Sequence, residues 1–374
     1  ERKVVALDGD SACMMHMGAM TMVSKLDAPN FMHVVLNNGS HESVGGQPSA
    51  GHKVDFTKIA EACDYATVGH PVTTEVELVE ALEVLQSVGL PRGDAYDLPT
   101  SEKRFADGGQ YRFEVPGIQG PKVMQALLEA MDGYGLYLHR VTQTQGIMRL
   151  TDEEISKMME LAHKWQTDLI LAIGPRATTD TSASVHTEEG VRMGYRLRGQ
   201  EQIVRAIEDV KRAAHLGCRG FLVYDEGCLW ALNEMRKAGE IPTDCHFKVS
   251  AHAGHGNPCS AKLLESIGAD SINPVRDIQL QMLAAMRQAV DCPVDIHTEN
   301  PKSTGGFIRH YEVPEMIRIA APIYLKTGGS VAATHSWNST EEDARKRAKQ
   351  CSLVKRMIDE YYPEAVWSPR GSLL

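Results

Sequence analysis

Residues 247–275 read FKVSAHAGHGNPCSAKLLESIGADSINPV, and their order decides the fold of the larger part of the chain. FKVSAH is a short apolar run of strand length, and a turn rich in Gly and Asn follows it. SAKLLESIGA then places its apolar residues at helical spacing, and SINPV is a second short apolar run. Strand, helix and strand in so short a span form a crossover unit, which makes the two strands parallel.

Working outward, the same alternation recurs on both sides. Strands are expected at YRFEV (111–115), LYLHRV (136–141), DLILAIG (168–174), GFLVYDE (220–226), PVDIHT (293–298) and IYLKTG (323–328), besides the two in the quoted stretch. Helical patterns separate them, from PKVMQALLEAMDGY through GQEQIVRAIEDVKRAAHLG to the final STEEDARKRAKQCSLVKRMIDEYY. Eight strand–helix pairs point to a closed (β/α)8 barrel of the TIM type, because closure covers both faces of every strand and leaves no edge. An open doubly wound sheet accommodates the alternation but not the count. GLPRGDAYDLPTSEKRFADGGQ, without apolar periodicity, reads as a linker. The expected organisation is therefore a partial α/β domain at 1–90, a linker at 91–108 and a barrel at 109–374.

Composition bounds the function classes. At 374 residues the chain suits two domains, and 43% hydrophobic with 24% charged residues is the balance of a globular protein. No apolar run approaches the roughly 20 residues that span a bilayer, and the N-terminus has no signal-peptide pattern. A net charge of −10 disfavours a nucleic-acid surface. Eight cysteines scattered without a CxxC read as reduced thiols, so a cytoplasmic setting is expected. A homo-oligomer is also expected.

The chain opens without Met, in mid-strand, on KVVALDGD, an apolar run ending in Gly-Asp. FMHVVLNNG ends likewise in Asn37, Asn38 and Gly39, and SACMMHMGAMTMVSKL between them reads as a helix. Such a βαβ unit brings a carboxylate, two amides and a glycine turn side by side, a hard-oxygen set suited to Mg²⁺ held jointly with phosphate. The plainer alternative is a helix cap at Asp10 and an Asn turn.

LDGDSACMMHMGAM together with PNFMHVVLNNGSHESVGGQPS resembles the thiamine-diphosphate motif of phosphonopyruvate decarboxylases and the related sulfopyruvate decarboxylases, over residues 1 to about 85. The resemblance implies Mg²⁺ ligation by Asp10, the Asn38 side chain and the Ser40 carbonyl. Ser11, where the family usually has Gly, would lie against the diphosphate. It implies thiamine diphosphate as cofactor and 2-oxo acid decarboxylation as reaction. It also implies a pyrimidine-binding half, which a partner subunit would supply; otherwise the segment is a vestige or assembly module and the barrel alone is active.

For the barrel, strand C-terminal ends are where function is expected. They hold Glu114, His139, Arg140, Arg176, Asp225, Glu226, Ser250, His252, His255, Asn273, Arg276, His297, Glu299 and Lys326. Of these, His252, His255, His297, Glu299 and Glu226 form the expected catalytic set, since positions two apart share a strand face and His297 and Glu299 can converge with His252. Two imidazoles and a carboxylate suit acid/base work or a divalent metal; the lack of HxH or HExxH spacing favours the metal-free form. KSTGGF and KTGGSV follow strands seven and eight, so Gly305, Gly306, Gly328, Gly329 and Lys326 are expected to bind the anionic part of a small substrate, with ordinary turns as the alternative. The barrel's layout weakly resembles the collagenase-like peptidases. Hydrolase or lyase chemistry is thus the expectation if the barrel acts alone.

Overall fold

The computed structural model describes residues 4–26, 31–41, 46–74, 76–78, 97–174, 195–332 and 338–372. They fall into two compact units, Glu1–Asp97 and Leu98–Leu374. Arg176, expected at a strand end, lies outside the described residues.

In the first unit β1 (Val4–Gly9) and β2 (Phe31–Leu36) pair in parallel, Val4 opposite Phe31 through Gly9 opposite Leu36. The expected single helix between them is two, α1 (Asp10–Met15) and α2 (Gly18–Lys25), parted at His16 and Met17 just before a glycine. A short antiparallel ladder follows, β3 (Ser40–His41) with β4 (Gln47–Pro48), then α3 (Phe56–Ala62). The opening strand is apolar, yet its Val4, Val5 and Leu7 are 50%, 53% and 68% exposed. Among the described residues β1 and β2 form a two-stranded sheet, and an apolar strand is buried only when a second layer covers it.

The second unit is a closed barrel of eight parallel strands. They are β5 (Tyr111–Pro116), β6 (Arg140–Gln143), β7 (Asp168–Ala172), β8 (Gly220–Val223), β9 (His246–Val249), β10 (Ser271–Ile272), β11 (Val294–His297) and β12 (Ile323–Lys326), with β12 closing on β5. The helices between them are α4 (Pro121–Gly133), α5 (Asp152–Trp165), α6 (Gly199–His215), α7 (Glu226–Ala238), α8 (Pro258–Ser266), α9 (Leu280–Ala289) and α10 (Val313–Ala320), and α11 (Glu341–Tyr361) follows the last strand. Alternation along each strand sorts the side chains. Tyr111, Phe113 and Val115, like Val294 and Ile296, join the apolar layer shared with the helices. Arg112 and Glu114, like Asp295 and His297, take the inner face.

That inner face is divided. Ile170, Ala172, Leu222 and Tyr224 from β7 and its neighbour make a small apolar cluster of their own. Buried charges also lie on this face, and they are tolerated only because they are paired. Arg140 sits 3.2 Å from Asp295 and 3.4 Å from Asp168, and His246 lies 2.9 Å from Asp168.

Residues before β5, partly expected as linker, are bonded to this unit: the Ser101 amide donates to Arg318 and Asp107 pairs with Arg112 at 2.7 Å. His139 and Arg140 are corrected in position. The strand runs Arg140–Gln143 rather than ending at Val141, because the Thr and Gln that follow continue the ladder with β7. His139 therefore precedes its strand, where its ring meets the Ser368 carbonyl at 3.0 Å.

Candidate functional site

In the first unit, the parallel pairing carries Asp10 and the Asn37–Asn38 turn to the same end of the sheet. Asp10, the first residue of α1, is 1% exposed, and its carboxylate accepts a hydrogen bond from the Ser49 hydroxyl. Asn37 Oδ1 accepts from the Gly39 amide at 3.1 Å while its Nδ2 donates to the Gly51 carbonyl at 2.9 Å. Asn38 Oδ1 accepts from the Ser40 amide at 3.0 Å, and the Asn38 side chain is exposed. Gly39 has the left-handed φ of +66° that such a turn needs.

Gly51 explains the packing of the group. A Cβ there would collide with both Asp10 Oδ2 and Asn37 Oδ1, so the two oxygens converge on one glycine. The structure thus gathers Asp10 with Asn37, Ser49 and Gly51, and leaves Asn38 and Ser40 on the adjoining turn. A buried carboxylate, amide oxygens and a hydroxyl are hard donors that fit Mg²⁺. Ser49 and Gly51 were not among the expected residues; only their nearness to QP and a Gly-His turn hints at them.

In the barrel the expected catalytic set divides into separate groups. His255 Nε2 lies 2.5 Å from Glu226 Oε1, and Arg196 also pairs with Glu226. Burial, then the Arg196 charge, hold the His255 ring below its usual pKa. His252 stacks on Tyr195, ring centroids 3.9 Å apart, and its Nε2 lies 2.8 Å from Arg276. Glu299 is fully buried but belongs to a third group: Oε1 accepts from the Gly328 amide at 2.6 Å and Oε2 from the Ser330 hydroxyl at 2.5 Å.

Glu299 lies past the end of β11 at His297, where the chain turns into an antiparallel bridge, Glu299 to Ile308. The two-residue period applies only within a strand. Among the described residues no group of three or more His, Cys, Asp or Glu side chains is arranged to hold a metal ion. Asp225 caps α7, its Oδ1 accepting from the Cys228 amide at 3.0 Å.

The glycine loops use their amides internally. Gly305 donates to Lys302 at 3.3 Å, Gly306 to Pro301 at 3.1 Å, and Gly328 to Glu299. Gly328 has φ +93°, and a Cβ there would come 2.8 Å from Arg347; one on Gly329 would come 2.6 Å from the Glu299 carbonyl. Left-handed turns and close backbone approach account for these positions.

A further buried polar group joins Glu114, Asn273 and Lys326, all expected at strand ends, to Lys248 and Asp295, which were not singled out. Glu114 is fully buried; Lys248 pairs with its Oε2, Thr142 donates to its Oε1 at 2.9 Å, and Lys326 stands 3.8 Å away. Lys248 also lies 3.4 Å from Asp295, to which Ser271 donates at 2.9 Å. Lys326 Nζ donates to Asn273 Oδ1 at 2.9 Å. Burial is the first cause that lowers the Lys326 pKa, and the Lys248 charge adds to it, leaving it at about 7. The same cations hold Glu114 down against burial, to about 2. Lys248 has no charged residue beside it in sequence, so nothing short of strand alternation flags it.

Comparison with known sequences concerns the first unit. Residues 1–91 match the family described as thiamine pyrophosphate enzyme, C-terminal TPP binding domain. A phosphonopyruvate decarboxylase of Streptomyces viridochromogenes is 40% identical over 81 residues, 22% of this chain and 20% of that protein. A sulfopyruvate decarboxylase subunit beta of Methanococcus maripaludis is 28% identical over 85 residues, 23% of this chain and 45% of that subunit. The chain thus spans about a fifth of the first and under half of the second. Among solved structures, a U32 peptidase aligns with 55% of this chain and 74% of its own at 16% identity and a TM-score of 0.34. Residues 1–91 are therefore similar to the cofactor-binding C-terminal domain of thiamine pyrophosphate enzymes, in a chain that continues into a closed eight-stranded barrel.

Proposed function

We propose that the first unit is the diphosphate-binding part of a thiamine-diphosphate-dependent carboxy-lyase acting on a 2-oxo acid of the phosphonopyruvate or sulfopyruvate kind. The observation that carries this reading is the buried Asp10 carboxylate beside the Asn37–Asn38 turn, inside the stretch that matches the TPP-binding domain. Asp10, the Asn38 side chain and the Ser40 carbonyl are the Mg²⁺ ligands in this proposal, with Asn37 bracing the turn and Ser11 against the diphosphate. Bound there, the cofactor supplies the electron sink that takes the pair left when CO₂ departs. The chain's own part is to hold the metal and diphosphate in place. A pyrimidine-binding partner subunit completes the site, in keeping with the separately named beta subunits among the relatives. Unpaired cysteines agree with a cytoplasmic setting.

Titration calorimetry of the full chain with thiamine diphosphate and Mg²⁺ tests this. Binding is expected, with affinity falling at least about tenfold in Asp10→Ala, which removes a charge-assisted contact. No heat from the wild type, with and without a pyrimidine-domain subunit, would make the unit an assembly module instead. The barrel is proposed as a second catalytic unit for a small anionic substrate, supported by the buried charges on its inner face.

A further inference from the structure

Two lysines on the barrel's inner face compete for one carboxylate, and the competition has a clear winner. Lys248 contacts Glu114 and lies 3.4 Å from Asp295, so its ammonium is compensated. Lys326 is 3.8 Å from Glu114, beyond hydrogen-bond reach, and its polar contact is the neutral Asn273 amide at 2.9 Å. The orientation of that amide is set from behind, because Asn273 Nδ2 donates to the Asp295 carbonyl at 2.6 Å. Oδ1 is thereby turned to Lys326 and holds the nitrogen in one place. Lys326 is the last residue of β12, in register with His297 on one side and Glu114 on the other, and 5% exposed. It stands at the strand end where barrel chemistry is performed. With a pKa of about 7, such a buried amine is unprotonated in about half of the molecules at neutral pH and so has a lone pair to offer.

We propose that Lys326 is the nucleophile of the barrel, condensing through its ε-amine with the carbonyl carbon of a small aldehyde or 2-oxo acid to form an imine, with Asn273 as its positioning residue. The neutral nitrogen forms a bond to the carbonyl carbon, and the carbonyl π pair moves to oxygen. That oxygen takes one proton from the nitrogen and a second from solvent and leaves as water. The product is a protonated imine, with no change of oxidation state. The charged groups facing the amine are Glu114, Lys248, Arg276 and Asp295. Glu114 and Asp295 are positioned to offset the positive charge that the imine retains. The inference rests on the second unit alone and stands whether or not the first binds thiamine diphosphate. The two readings nevertheless meet, since loss of CO₂ from a 2-oxo acid leaves an aldehyde, the class of compound Lys326 would take.

The test is reductive trapping. The full chain is incubated with pyruvate or glycolaldehyde and sodium cyanoborohydride, digested, and the adduct on each lysine measured by mass spectrometry. Lys326 should be modified at least about tenfold faster than the exposed lysines of the same sample at pH 7, since those are almost wholly protonated there. Lys326→Met should lose that adduct alone. Asn273→Asp, which puts a carboxylate beside the amine, should move the midpoint of the trapping rate to higher pH and leave circular dichroism unchanged, a shift a merely structural role would not give. Adduct spread evenly over exposed lysines, or an untouched Lys326 with both carbonyl probes, overturns the proposal. Because the readout is the Lys326 peptide, its failure is separate from a failure of cofactor binding in calorimetry.

Discussion

Lys326 illustrates how a residue's neighbours decide its chemistry. In the sequence it is the Lys of KTGGSV, read as a cation for an anionic group; in the barrel it is a buried amine whose nearest carboxylate is taken by Lys248. Its folded pKa of about 7 lies below the ordinary 10.5. Between those values the unfolded chain binds more protons, so the stability linked to this lysine rises with pH. The cost of burying its charge is fully present below about pH 7 and fades towards 10.5. Lys326→Met should therefore gain on the wild type most at pH 6 and least at pH 9. Urea denaturation at the two values checks this, and an equal difference at both would contradict the assignment.

At the scale of elements, α11 joins more of the barrel than any pattern of its own reveals. Its buried positions Ala344, Ala348, Cys351, Val354 and Ile358 follow helical spacing. Arg347 on the same face donates to the Pro116 carbonyl at 2.8 Å and to the Gly328 carbonyl at 3.0 Å. The helix thereby ties the end of β5 to the loop after β12, the loop that Glu299 grips from the other side. Its start is set by a capping box in which Thr340 accepts from the Asp343 amide at 3.1 Å and Asp343 accepts from the Thr340 amide at 3.0 Å. Thr340→Ala should cost about 1 kcal/mol in urea denaturation.

At the scale of the whole molecule, the barrel is held by its apolar layer on one side and by charge pairing inside. Glu114 links β5 to β6 through Thr142, to β9 through Lys248 and, at longer range, to β12 through Lys326. Glu114→Gln would leave Lys248 with Asp295 alone, and removing one partner of a buried pair costs about 3–5 kcal/mol. That loss should appear in the unfolding midpoint of the barrel. The first unit is different in kind. Its apolar β1 side chains lie largely exposed among the described residues, and its α3 is capped by Asp55, whose carboxylate accepts from the Lys58 amide at 3.1 Å.

The strand–helix alternation from YRFEV to IYLKTG was enough to specify eight parallel strands and their closure, because burial of both strand faces leaves a periodic trace in the residues themselves. LDGD and LNNG likewise announced a βαβ unit and the oxygen-rich end of its sheet. Only the tertiary structure decided which polar residues meet. His252, His297 and Glu299 look like one group along the chain, yet Glu299 holds the loop after β12 and His252 stacks on Tyr195. Lys248, Glu114 and Lys326 are far apart in sequence and share one inner face. Periodicity records which side of a strand a residue occupies, whereas the partner across a barrel is set by strand order, tilt and the competition of several charges for one carboxylate.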